Sequence, residues 1–223
     1  MLRKIKFIIL IGCYTIVFQS FGQQKIFEVQ PDFSYANISK YLYVFEDSTK
    51  KMDLKDILAI DDNKLKNIKT DDPTYGFRKS NFWIKITLKN TQNTHQNLFL
   101  EFDYPLFDKT DIYSQDAQGN WINTQKTIGD KVPFQDRTIF YRNAIFNINL
   151  APQENRVYFL KIDTESSIQF PTYLYTSKDL SKHISKTEIL FGMFYGILLI
   201  MGIYNLVLYF AIQNRSYLYY FVY

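Results

Sequence analysis

The segment Asn81-Phe-Trp-Ile-Lys-Ile-Thr-Leu-Lys-Asn90, which is followed after a polar stretch by Asn97-Leu-Phe-Leu-Glu-Phe-Asp103, decides the fold of this 223-residue chain. Every second residue in both runs is apolar, and the set comprises Phe82, Ile84, Ile86, Leu88, Leu98, Leu100 and Phe102. Successive side chains of an extended chain point to opposite faces of a sheet. Both runs therefore predict strands with one buried face.

Further strand-like runs follow at short intervals, and turn signals rich in Asn, Asp, Gly and Pro separate them. They cover 110–114, 121–125, 139–150, 156–164 and 168–175. Many short strands without helices between them are typical of two packed antiparallel sheets. The fold class we predict for residues 40–178 is all-β, an antiparallel jelly-roll-like β-sandwich, followed by a transmembrane α-helix.

One residue conflicts with the predicted strand 139–150. Arg142 falls on the same face as Phe140, Ala144, Phe146, Ile148 and Leu150, and an unpaired charge in a sandwich core is costly. Three explanations remain open. A bulge turns the side chain away, a carboxylate pairs with it, or it faces a ligand groove.

On the amino-terminal side, residues 23–39 are polar and without periodicity, so we predict a linker. A basic head, an apolar run too short to span a bilayer, and small residues at Ser20 and Gly22 predict a signal peptide over residues 1–22. The alternative is a lipoprotein signal ending at Cys13. Because Cys13 is the only cysteine, cleavage after Gly22 leaves a mature chain without any disulfide.

On the carboxyl-terminal side, Ile189 to Ile212 carries no charge and one strongly polar residue, Asn205. A helix of about 20 such residues matches the hydrocarbon core of a bilayer. We predict a juxtamembrane helix at 179–188, the first transmembrane helix at 189–212, and a cytoplasmic turn with the start of a second span at 213–223. Lys178, Lys182 and Lys186 flank the span on the exported side, against the positive-inside rule, but a cleaved signal should still export the domain.

Composition disfavours several classes of function. The net charge of +4 is mild and both signs are interspersed, so we expect no nucleic acid partner. The two histidines, His95 and His183, offer little material for a metal site or a catalytic triad. Asp103 and Asp111 could be imagined as a glycosidase pair, but carboxylates on exposed strand faces are usually only solvated. We expect neither an enzyme nor a cofactor.

An ordered set of short motifs resembles a known family, the bacterial seven-transmembrane receptors with diverse intracellular signalling modules, 7TM-DISM, with their second type of extracellular domain. In the exported region the motifs are Tyr75-Gly76, Asn81 to Asn90, Leu98 to Pro105, Asp111 to Tyr113, Thr127 to Asp130, Val132 to Phe134, Arg137, Tyr141 to Asn143, Tyr158 to Ile162, Ser166, Ser167 and Pro171. In the membrane region they are Phe194-Tyr-Gly196, Tyr204-Asn205 and Asn214 to Tyr220. The resemblance covers residues 40–223.

The resemblance implies a periplasmic domain similar to carbohydrate-binding modules, anchored in the inner membrane and joined to a cytoplasmic effector that this chain lacks. Sugar recognition uses aromatic faces and planar polar groups. The contacts we predict are therefore Trp121, Tyr113, Phe134, Arg137, Arg142 and Asn143. The alternative is a protein-interaction domain that contacts a partner or forms a homodimer, in which case a flat apolar patch replaces the groove.

Overall fold

The computed structural model describes residues 24–222, so the predicted signal peptide lies outside the described residues. Within them the chain forms the following strands and helices: β1 (Ile26–Val29), β2 (Tyr35–Asn37), β3 (Tyr43–Asp47), α1 (Leu54–Leu58), β4 (Lys66–Asn67), β5 (Thr74–Phe77), β6 (Asn81–Asn90), β7 (Gln96–Phe102), β8 (Lys109–Gln115), β9 (Trp121–Asn123), β10 (Ala144–Leu150), β11 (Asn155–Asp163), β12 (Ser167–Gln169), β13 (Thr172–Thr176), α2 (Ser177–Ile212) and α3 (Arg215–Val222).

Two sheets form the body of the domain. The front sheet has the strand order β4-β3-β6-β11-β8-β9, and the back sheet has the order β10-β7-β13-β2. The long strand β6 pairs on one edge with two strands in turn. Its first half is antiparallel to β3 and its second half is parallel to β1. Strands β5 and β12 form a separate small sheet.

The core lies between the front and back sheets, as the alternating pattern predicts. Ile84 of β6, Leu160 of β11 and Ile112 of β8 are fully buried and point inward from the front sheet. Leu100 and Phe146 of the back sheet belong to the same buried cluster. Burial of this apolar surface is the main stabilising contribution to the fold. The all-β class is confirmed, and the jelly-roll topology stays a prediction.

Two predicted boundaries are wrong. The predicted linker 23–39 contains β1 and β2, which join the front and back sheets respectively. Val29 is fully buried, so this segment is part of the sandwich. The predicted strand 139–150 begins only at Ala144, and residues 124–143 form a long connection from β9 to β10.

The sandwich continues directly into the membrane helix. Strand β13 ends at Thr176, whose side chain accepts a hydrogen bond from the Asp179 N–H and caps α2. α2 then runs unbroken for 36 residues, so the predicted juxtamembrane helix and transmembrane span are parts of one continuous helix. Within the described residues α2 is the helix long and apolar enough to cross a membrane. After Gln213, whose φ is positive, α3 turns back, and Phe221 lies against Gly202.

Candidate functional site

The structure divides the six predicted contact residues between two places. Trp121 and Tyr113 lie on the outward face of the front sheet, in a cluster around Ile57, Trp83 and Phe159. The other four, Phe134, Arg137, Arg142 and Asn143, lie in the long connection that precedes β10. The single site predicted around Trp121 and residues 134–143 is therefore not brought together.

The first place is an open groove of about 810 Å³ on the outward face of the front sheet. It lies between the sheet and the segment that includes α1, and its lining residues are Gln24, Ile57, Leu58, Ile60, Asp61, Asp62, Asn63, Lys85, Trp121, Val157 and Phe159. We call this the front groove. Its volume falls in the range of sites for small ligands.

Aromatic rings form one side of the front groove. Trp121 is half-buried, and its ring meets the Phe159 ring edge to face, with centroids 5.3 Å apart. Phe159 is held by its position in β11 between β6 and β8. An indole that is partly exposed on a rigid support offers a flat apolar face to a ligand.

Polar groups also line the front groove. The Lys85 Nζ lies 2.7 Å from Asp62 Oδ1 and 5.8 Å from the centre of the Phe159 ring. The Asp62 side chain is 59% exposed, whereas that of Lys85 is 13% exposed. Asp61 accepts a hydrogen bond from the Asn63 N–H, which fixes the turn that presents these side chains. A carboxylate, an amide and an ammonium group thus face the same groove as Trp121.

Tyr113 supports the groove from beside it and does not line it. Its ring lies 5.8 Å from that of Trp83, which is almost fully buried. Burial raises the pKa of the Tyr113 hydroxyl. The residue therefore contributes packing to the outward face.

Arg137 holds the long connection in place. It is 8% exposed, and its guanidinium donates hydrogen bonds to the carbonyls of Tyr141, Arg142 and Gly129 at 2.6, 2.8 and 3.4 Å. The Phe134 ring covers it at 4.8 Å. Because Arg137 is buried and its two terminal nitrogens donate to backbone carbonyls, it is not part of the candidate site.

Asn143 belongs to a buried polar cluster between the back sheet and α2. Its Nδ2 donates hydrogen bonds to Glu101 Oε1 at 2.6 Å and Asp103 Oδ1 at 2.9 Å. Glu101 is fully buried, and burial raises its pKa to about 7. Its Oε2 has no hydrogen-bond partner among residues 24–222 and lies 3.7 Å from His183 Nε2 of α2. The cluster therefore links sheet and helix through one carboxyl group.

Arg142 follows none of the three explanations that its sequence position left open. It precedes the first residue of β10, so it never enters the strand. Its guanidinium lies 4.4 Å from the Phe191 ring of α2 and 5.3 Å from the Tyr141 ring. It also donates a hydrogen bond to the Tyr141 hydroxyl at 3.3 Å. Cation–π contacts of this kind stabilise an arginine without a carboxylate.

Sequence reasoning missed residues of both the front groove and the buried polar cluster around Asn143. The alternation around Glu101 marks an outward-facing and hence solvated position, and only the helix packed over it makes the position buried. Asp62 and Lys85 are far apart in the chain, and no periodicity links them. Asp103 follows β7 of the back sheet and accepts a hydrogen bond from Asn143, whereas Asp111 lies on β8 of the front sheet and accepts one from Thr127.

The fold and the site define a class: a β-sandwich outside the membrane, joined without a linker to a transmembrane helix. Comparison with known proteins gives the family. Residues 39–176 match the model of the 7TMR-DISM extracellular 2 domain, and residues 187–223 match that of the 7TM diverse intracellular signalling region. The first match alone covers more than half of the chain, so the chain belongs to the 7TM-DISM receptors. No curated protein matches it.

Proposed function

We propose that the sandwich binds a carbohydrate-like ligand in the front groove and passes the change in its bound state to α2. One observation carries the proposal: a half-buried indole, Trp121, shares an open groove with the carboxylate of Asp62 and the amide of Asn63. An aromatic face packs against the C–H groups of a sugar ring. Carboxylates and amides bind its hydroxyls.

The direct junction between β13 and α2 supports the second half of the proposal. Thr176 ends the strand and caps the helix, so no flexible segment separates the sensor from the span. We infer further that the domain lies in the periplasm, that the span crosses the inner membrane, and that the signal continues to a cytoplasmic effector. The match to an extracellular-domain family and the predicted export signal support this inference.

The test is a glycan array followed by titration calorimetry on residues 24–188, a segment that contains all three buried clusters. Trp121→Ala should weaken Kd by about 2- to 12-fold, because a stacked aromatic contributes about 0.5 to 1.5 kcal/mol. Asp62→Asn should weaken binding while keeping the shape of the groove. Tyr35→Ala is the matched control, since Tyr35 is an exposed aromatic on the back sheet.

The competing reading is a protein-interaction domain. It replaces our proposal if no glycan raises the melting temperature of the folded segment while sedimentation shows that the segment self-associates. Equal weakening by Tyr35→Ala and Trp121→Ala would also contradict a site in the front groove.

A further inference from the structure

α2 runs along the outward face of the back sheet toward one end of the sandwich. Its first turn is held at the Thr176 end of β13, where Asp179 Oδ2 accepts hydrogen bonds from the hydroxyls of Ser34 and Thr176, each at 2.8 Å. About three turns further along α2, the Arg142–Phe191 contact lies beyond the opposite end of β13, because Arg142 comes two residues before Ala144.

The rise of α2 from Asp179 to Phe191 agrees with the length of the back sheet that it covers. Twelve helical residues from Asp179 to Phe191 rise about 18 Å. Ala144 and Thr172 both pair with Phe102, so Arg142 lies about six extended residues, or about 20 Å, from the level of Thr176. The helix therefore leaves the sandwich at the end where β13 begins. We call this the lower end.

Several connections meet at the lower end. The segment 103–108 crosses from β7 to β8, and its Leu106 carbonyl accepts a hydrogen bond from Thr164 at 3.1 Å. The Asp130 N–H donates to the Phe107 carbonyl at 2.8 Å, which ties the long connection before β10 to the same place. The turn after β5 also lies at the lower end. It leads into Asn81, the first residue of β6, which pairs with Asp47 of β3 at this end.

These connections, and the end of β5 beside them, expose large apolar side chains. Phe140 is 70% exposed, Phe77 81%, Phe134 49% and Leu106 47%. The Phe134 and Phe140 rings contact each other with centroids 5.8 Å apart. Phe77 is followed directly by two exposed basic residues, Arg78 and Lys79. Exposed apolar groups gathered at one end of a domain mark an interaction surface.

The position of the span identifies the partner. The uncharged part of α2 begins at Ile189, so Phe191 lies about 3 Å below the start of the hydrocarbon core. The headgroup layer is about 5 to 7 Å thick on each side of the core. Since Arg142 covers the Phe191 ring, and Phe140 is two residues from Arg142, the lower end lies at the level of the lipid headgroups.

We propose that the lower end is a membrane-docking surface, in which Phe77, Leu106, Phe134 and Phe140 insert into the interfacial layer of the bilayer that α2 crosses. Aromatic and basic residues together suit this layer, because rings enter the acyl boundary while the cations remain with lipid phosphates. Docking fixes the tilt of the sandwich about the first span. The proposal does not depend on a ligand in the front groove.

The experiment uses the full chain, reconstituted at one copy per nanodisc of phosphatidylcholine and phosphatidylglycerol. Tryptophan is introduced as Phe140→Trp or Phe77→Trp, and its emission is compared in ordinary and brominated lipid, with the wild-type emission of Trp83 and Trp121 subtracted. Bromine quenches only an indole that reaches the lipid. Tyr35→Trp is the matched control, since Tyr35 is 61% exposed and pairs with Tyr175 near the opposite end of the back sheet.

Both reporters should lose most of their emission in brominated lipid, while Tyr35→Trp keeps its emission. The proposal is overturned if the reporters behave like Tyr35→Trp. It is also overturned if their emission changes only when two copies share one nanodisc, because the lower end then binds a second copy. Leu106→Trp repeats the test on a separate connection, in case one of the other variants fails to fold.

Discussion

The fully buried carboxyl group of Glu101 makes stability depend on pH in a way that one substitution can isolate. Burial raises its pKa from 4.5 to about 7, so the folded state holds a proton that the unfolded state has already released. The stabilisation is complete below about pH 4.5 and is lost as the pH rises through about 7. The free energy of unfolding should therefore fall with rising pH across this window.

The magnitude follows from the size of the shift. A rise from 4.5 to about 7 corresponds to about 3 kcal/mol at 1.36 kcal/mol per pKa unit. This is an upper value, because local relaxation and water penetration reduce the penalty of burying a charge. Glu101→Gln keeps the acceptor for the Asn143 hydrogen bond and removes the titration.

The assay is urea unfolding of residues 24–188, followed by circular dichroism, for wild type and Glu101→Gln. Between about pH 4.5 and pH 8 the variant should gain up to about 3 kcal/mol over wild type, or about 6 to 12 °C in melting temperature. The difference between the two proteins cancels groups that titrate in both, such as Asp179, whose hydroxyl partners lower its pKa to about 2. A difference that does not change with pH would refute the buried-carboxyl account.

Three further predictions concern other parts of the chain. Gly129→Ala should destabilise the domain by several kcal/mol in the same unfolding assay, because a Cβ would lie 2.1 Å from the Asp108 carbonyl oxygen; unchanged stability would show that this contact relaxes easily. Exchanging Gly192 and Gly196 for leucine should weaken helix association in a membrane reporter assay, since both are open to a close partner helix, and unchanged association would count against a bundle. N-terminal sequencing should find a mature chain that begins at Gln23; a lipidated cysteine at that end would contradict the signal-peptide prediction.

The sequence predicted the parts of the fold that depend on local periodicity. Alternation in β6 and β7 marked the faces that contact the sandwich core, because each strand contacts the core on one side along its whole length. It did not predict that Trp83 and Glu101 on the opposite faces are also buried. The uncharged run from Ile189 marked the membrane helix for a similar reason, since a span needs apolar residues along its whole length. In both cases the environment is uniform along the segment.

The sequence failed where the environment changes from one residue to the next. Residues 26–37 lack a pattern because β1 and β2 are short and join different sheets. The sequence pattern places Arg142 inside a strand because no neighbouring residue signals that β10 starts only two residues later. The burial of Glu101 and the contact of Arg142 with Phe191 both depend on the path of α2 over the back sheet, which is a tertiary feature.

The central claim, that the front groove is the ligand site, is tested most directly by the indole N–H resonances of residues 24–188 during a glycan titration. The segment contains two tryptophans, and they differ in exposure: Trp121 is half-buried in the groove, whereas Trp83 is 1% exposed beneath the outward face. The account predicts a saturable shift of the Trp121 indole resonance and a much smaller change at Trp83. A glycan that binds the domain and leaves the Trp121 resonance in place would contradict it.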